Sequence, residues 1–156
     1  MPQANDAEIV RVYTRAFNGG IEDRAPDLTV GGNRFEVIVE AAAGSTRDND
    51  GSPYTVSITA LDITAGQSAA VLAPPMNPPT LSQTFRTNSA SLPPVPPGAS
   101  NISAWPGYEE KFVISLTAAE AALVVGHVFQ YTAVLQATGD PIISITQSPP
   151  FTLVAS

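Results

Sequence analysis

Apolar and polar residues alternate one for one in segment after segment of this chain. In 34–42, RFEVIVEAA, Phe35, Val37, Val39 and Ala41 fall on one side, and Arg34, Glu36 and Glu40 fall on the other. A β-strand sends successive side chains to opposite faces, whereas a helix repeats every 3.6 residues or so, and the pattern therefore reads as half-buried strand. PYTVSITALDIT repeats it, with Tyr54, Val56 and Ile58 inward and Thr55, Ser57 and Thr59 outward. KFVISL turns Phe112, Ile114 and Leu116 inward, and HVFQYTAVLQ places Phe129, Tyr131, Ala133 and Leu135 on one face. AEIVRVYT near the start, LSQTFRT in the middle, PIISITQ and the closing FTLVA complete a set of about eight or nine strands.

Turn formers separate these segments: NGG at 18–20, VGGN at 30–33, RDNDGSP at 47–53, TAGQ at 64–67 and TGDP at 138–141. Short strands with such punctuation predict an all-β, immunoglobulin-like antiparallel β-sandwich. One segment departs from the alternation. In TAAEAALVVG, Thr117 and Glu120 make a T-x-x-E capping box, good helix formers follow, and Gly126 supplies a stop. The spacing predicts one short helix over 118–124, linking two strands.

Eight of the fifteen prolines flank LSQTFRT within 73–98. Proline cannot donate to a sheet ladder, which predicts stiff extended loops at 73–80 and 92–98 with an edge strand between them. A domain boundary here would leave two pieces small for a stable sandwich. Residues 1–156 are therefore expected to form a single domain.

Seven basic and 14 acidic residues leave a net charge of −7. Phosphate-binding surfaces need clustered Lys and Arg, and a single lysine, Lys111, with scattered arginines argues against nucleic acid as a partner. There is no cysteine, which removes disulfides, thiolate metal sites and cysteine nucleophiles. No apolar run is long enough for a spanning helix, and MPQANDAEIV has neither the basic region nor the apolar core of a secretory signal. Fifteen of the charged residues precede Ile63. From there to Tyr108 the sole charge is Arg86, and from Ala121 onward it is Asp140. Two explanations stand open: a surface built from hydroxyls and amides, or surfaces covered by neighbouring subunits, because interface cores are depleted in charge.

The order of residues 112–154 is strand, LTAAEAA turn, glycine, aromatic-bearing strand, polar turn, strand and closing FTLV strand. It resembles the small immunoglobulin-like β-sandwich domains of tailed-phage structural proteins, notably of baseplate proteins that carry receptor-binding proteins. Leu116, Thr117, Glu120, Gly126 and Tyr131 occupy the positions of the family's Leu-Thr-x-x-(Glu/Gln) turn, Gly and strand Tyr. The chain departs in lacking a proline before that glycine and in carrying Thr132 after the tyrosine. The resemblance implies a virion subunit of the tail, baseplate or capsid-decoration kind, made in a host cytoplasm and released by lysis.

The candidate sites are few. Asp48 and Asp50, in RDNDG, are weak calcium candidates, but the sequence runs into a strand where an EF-hand loop would continue, and Asn49-Asp50-Gly51 suits a hairpin turn. His127 is the sole histidine and accompanies no nucleophile motif, so neither a catalytic residue nor a cofactor is expected. The interface is expected at Pro74, Pro75, Leu81, Phe85, Arg86, Pro93, Pro94, Trp105 and Tyr108. The expected function is non-enzymatic packing against copies of the chain or other virion proteins, with no nucleic-acid or membrane partner. The alternative is an extracellular carbohydrate-binding or adhesion module in which Trp105 and Tyr108 stack on sugar.

Overall fold

The structure, a computed structural model, describes residues 7–43, 51–74, 80–84, 107–137 and 142–156. Two antiparallel sheets account for most of them. The first holds β1 (Ala7–Ala16), β2 (Arg34–Ala43) and β6 (Gly107–Ser115), in the order β1-β2-β6. The second is built on β3 (Pro53–Asp62) and β7 (Val128–Ala137), paired along their whole length from Tyr54 opposite Ala137 to Asp62 opposite Phe129. On the outer edge of β3 lie β5 (Thr80–Thr84) and β4 (Gln67–Ser68). On the outer edge of β7 lie β8 (Ile142–Gln147) and β9 (Phe151–Thr152). The expected all-β sandwich is therefore the observed architecture, with LSQT forming a strand on β3.

Alternation decides which side chains meet between the sheets. Phe35, Val37 and Val39 of β2 and Phe112 and Ile114 of β6 face Val56 and Ile58 of β3 and Phe129, Tyr131 and Leu135 of β7, and all are buried. Phe151 fills the centre, its ring stacked 5.5 Å from Tyr131 and tilted 5.9 Å from Phe35. Aromatic pairs of this kind add roughly 0.5–1.5 kcal/mol beyond the area they bury. The Tyr131 hydroxyl ends in this apolar space and donates to the Leu72 carbonyl at 2.7 Å, which satisfies an otherwise costly buried donor.

The short helix α2 (Ala118–Val124) forms as the sequence predicts. Thr117 Oγ1 accepts from Glu120 N–H at 3.1 Å, and the Glu120 carboxylate accepts from Thr117 N–H at 2.9 Å, a complete capping box. Ala121 and Val124 face the core, and Gly126 follows with φ +89°, a conformation that favours glycine. A second helix, the single turn α1 (Leu28–Gly31), was not foreseen. Asp27 caps it by accepting from Thr29 N–H, and Gly32 closes it at φ +67°. Main-chain bonds from Leu28 N–H to Val154 and from Gly126 N–H to Leu153 then tie the last residues to this end. No helix among the described residues is long and apolar enough to cross a membrane.

Candidate interaction face

Where inner residues of the second sheet are buried, their neighbours in sequence must point out. On β3 these are Thr55, Ser57, Thr59 and Leu61, and on β7 they are Gln130, Thr132, Val134 and Gln136. On β8 the alternation runs against expectation for an amphipathic strand. Ser144 pairs with buried Leu135 and Thr146 with buried Ala133, so the hydroxyls face the interior and Ile143 and Ile145 face solvent. The reason is visible at the inner face: Ser144 Oγ accepts from Ile9 N–H at 3.0 Å, supplying an acceptor to the β1 edge next to the extra residue Val10 of a bulge. The two isoleucines are left 60% and 64% exposed, with Leu61 at 43%. Among the described residues, none on this outer face is ionisable. It is covered by hydroxyls, amides and β-branched methyls. Burying it against another protein would desolvate no charge, and each hydroxyl or amide can both donate and accept.

The outer face of the first sheet is its opposite. Glu36 and Glu40 lie on that side of β2 as the alternation requires, yet both are fully buried. Arg15 Nε meets Glu36 at 2.6 Å, and Lys111 Nζ approaches the same carboxylate at 3.7 Å. Arg11 Nε meets Glu40 at 2.9 Å, and the Tyr13 hydroxyl donates to it at 3.3 Å, with the Arg11 guanidinium 4.1 Å above the Tyr13 ring. Burial pulls the Arg15 guanidinium down, but its hydrogen bond to Glu36 and the carboxylate's charge outweigh this, and the net shift is upward. These charges are neutralised by one another within the chain.

Two further polar arrangements lie at the ends of the sandwich. Glu110 points inward, because it is two residues before buried Phe112 on the same strand. The Tyr54 hydroxyl donates to its Oε1 at 2.6 Å, and the Gln83 amide donates to its Oε2 at 3.3 Å. Burial raises the Glu110 carboxyl above the usual range, and these two hydrogen bonds oppose the rise. At the other end His127 Nδ1 lies 2.8 Å from Asp62 Oδ2, its ring stacked on Phe129 at 6.0 Å. The hydrogen bond from His127 holds the Asp62 carboxyl below the usual range. The nearby Thr64 hydroxyl oxygen accepts from Val128 N–H, so it is engaged in the turn. Among the described residues no group of three or more His, Cys, Asp or Glu side chains could hold a metal. A groove of about 600 Å³ runs between the β1 edge and the end of β8, lined by Arg11, Tyr13, Glu22, Arg24 and Ser148 among others. Glu22 stands within it between the two arginines, 3.6 Å from Arg11 and 3.3 Å from Arg24.

Of the interface residues expected from sequence, Pro74 is buried. Leu81 pairs with Val56 and packs half-buried on the core, and Tyr108 is half-buried with its ring edge-on to Tyr54 at 5.9 Å. Pro75, Phe85, Arg86, Pro93, Pro94 and Trp105, and the calcium candidates Asp48 and Asp50, lie outside the described residues. Ile143 and Ile145 were not singled out by sequence reasoning. The signal that points to their face is the sparse charge of the stretch from Ala121 onward, where Asp140 is the sole charged residue.

No protein-family model matches the chain, and no curated protein matches it. Among solved structures it is similar to BcpA, the major pilin subunit of Bacillus cereus, at 9% identity and a TM-score of 0.45. The superposition covers 97% of this chain and 41% of the pilin, so the chain spans well under half that subunit's length. A variant of the same pilin gives the same values. Similarity at this level leaves the reading of function to the face itself.

Proposed function

We propose that this chain is a non-enzymatic structural subunit that works by packing its β3–β7–β8 face against protein neighbours. The observation that carries the reading is the outer face of that sheet, which bears no charge among the described residues on a chain of net charge −7. A surface of an acidic protein that needs only water is dotted with carboxylates, whereas the centre of a protein interface sheds them. The exposed Ile143 and Ile145 supply the apolar contact such an interface needs.

Within that class, the resemblance over 112–154 supports a tailed-phage virion component of the tail, baseplate or decoration kind. The capping box at Thr117 and Glu120 and the positive φ of Gly126 agree with the motif that carries the resemblance. The sugar-binding alternative draws on Trp105 and Tyr108. The Tyr108 ring is engaged by Tyr54, which favours packing over an open stacking platform.

The test is incorporation into a high-mass assembly in the producing cells. Thr132→Lys, in the middle of the face, should abolish incorporation. Val113→Lys, on the outer side of β6, should leave it intact. Equal incorporation of both variants would contradict the reading.

A further inference from the structure

Resting on the packing reading above, we propose that the partner seated on the β3–β7–β8 face is a second copy of this chain, related by a two-fold axis. Charge is the first argument. Two chains of net charge −7 repel one another wherever their carboxylates are apposed. They can meet without that repulsion on a face that carries no ionisable side chain among the described residues. A different protein recognising so acidic a chain would gain from basic side chains, and this face offers them nothing to read.

The second argument is self-complementarity. A two-fold contact uses the same patch on both sides, so each residue type must be able to face its own kind. Thr59, Thr132 and Gln136 each carry groups that donate and accept, which lets the patch satisfy its own image. Ile143 and Ile145 add apolar contact that is likewise indifferent to sign.

Size is the third. The sheet is four strand columns wide, roughly 19 Å at the usual strand spacing. The ten-residue strands β3 and β7 run about 33 Å. The face thus projects at most about 600 Å², the same order as the ~800 Å² per partner of a standard stable interface.

The experiment uses the full chain and two exposed double variants, Ile143→Lys with Ile145→Lys and Ile143→Glu with Ile145→Glu, with folding checked by circular dichroism. Sedimentation equilibrium should give a dimer for the wild type. With the axis across the strands, β8 lies on β8 of the second copy. Each double variant alone should therefore self-associate at least about 100-fold more weakly, because like charges now face one another. An equimolar mixture of the two should recover to within about tenfold of wild type, because lysine then meets glutamate. A wild type that stays monomeric to about 500 µM overturns the second copy, as does a mixture that binds no more tightly than either variant alone. A monomeric wild type that still enters a high-mass assembly leaves the packing reading standing. Exclusion from every assembly overturns both.

Discussion

The Tyr54 hydroxyl reaches from one sheet to the other and donates a 2.6 Å hydrogen bond to the buried carboxylate of Glu110. It is the shorter of two such bonds to that carboxylate, the other coming from Gln83 on the neighbouring β5. Removing it by Tyr54→Phe should cost about 1–3 kcal/mol, the penalty for leaving a buried acceptor short of a partner. Urea unfolding at neutral pH measures the difference, and a cost within error of zero would contradict the role given to this bond.

Glu110 also sets a pH dependence. The folded protein holds its proton more tightly than the unfolded chain does, because burial outweighs the hydrogen bonds. Between the ordinary carboxylate value and the raised one, the folded state binds more protons, so stability falls as pH rises through that window. Glu110→Gln should remove this fall. The stability of the variant relative to wild type should therefore increase from about pH 4 to pH 7, read from unfolding free energies at each pH. A difference that is flat across that range would count against the inward placement.

The ion pair of Arg15 and Glu36 makes a different prediction. Arg15→Met strips the 2.6 Å partner from a fully buried carboxylate and should destabilise by about 3 kcal/mol. Adding Glu36→Gln should recover most of that loss, because it removes a buried charge left with only the more distant Lys111, at 3.7 Å, to balance it. Comparable destabilisation in the single and double variants would show that packing by the arginine stem, and not charge pairing, is what matters there.

At the α2 cap, Thr117→Ala should cost about 1 kcal/mol. The loss should be matched by Glu120→Ala more closely than by Ala119→Ser, since Glu120 returns a hydrogen bond to Thr117 N–H and Ala119 is exposed. Thermal or urea unfolding of the three variants checks it, and equal effects would remove the capping box from the account.

These predictions divide by how much of their basis is written locally. The alternation in RFEVIVEAA and KFVISL assigned Phe35, Val37, Phe112 and Ile114 to the core, because strand periodicity needs no knowledge of the partner strand. The helix at 118–124 was equally legible, since cap and stop lie within ten residues of each other. The inward turn of Glu110 follows from the same strand parity as Phe112. Burial of Glu36 and Glu40 depended on Arg11 and Arg15, some 20 to 30 residues away, reaching over the sheet. The outward isoleucines of β8 depended on Ser144 finding the β1 edge, a contact 135 residues apart in sequence. Long-range pairing of this kind leaves no local trace. The face itself left one, the scarcity of charge from Ala121 onward, which could not say which surface it belonged to until the strands were paired.

His127 illustrates the same limit. Its contact with Asp62 spans 65 residues and holds that carboxyl below its usual range. Such a carboxylate contributes stability above the unfolded value that is lost as pH falls through the lower folded one. In His127→Phe the Asp62 carboxyl should titrate closer to the ordinary value, as followed by NMR. An unchanged titration would assign the depression to the turn amides alone.

The central claim is that the β3–β7–β8 face is covered in the working state of this protein. Hydroxyl-radical footprinting of the chain inside its native high-mass assembly, compared with the dilute isolated chain, tests it most directly. The account predicts that Ile143 and Ile145 become protected while Val30 and Leu123, exposed to 80% and 75% on α1 and α2, label as before. Unchanged labelling of both isoleucines, or protection confined to Val30 and Leu123, would contradict it.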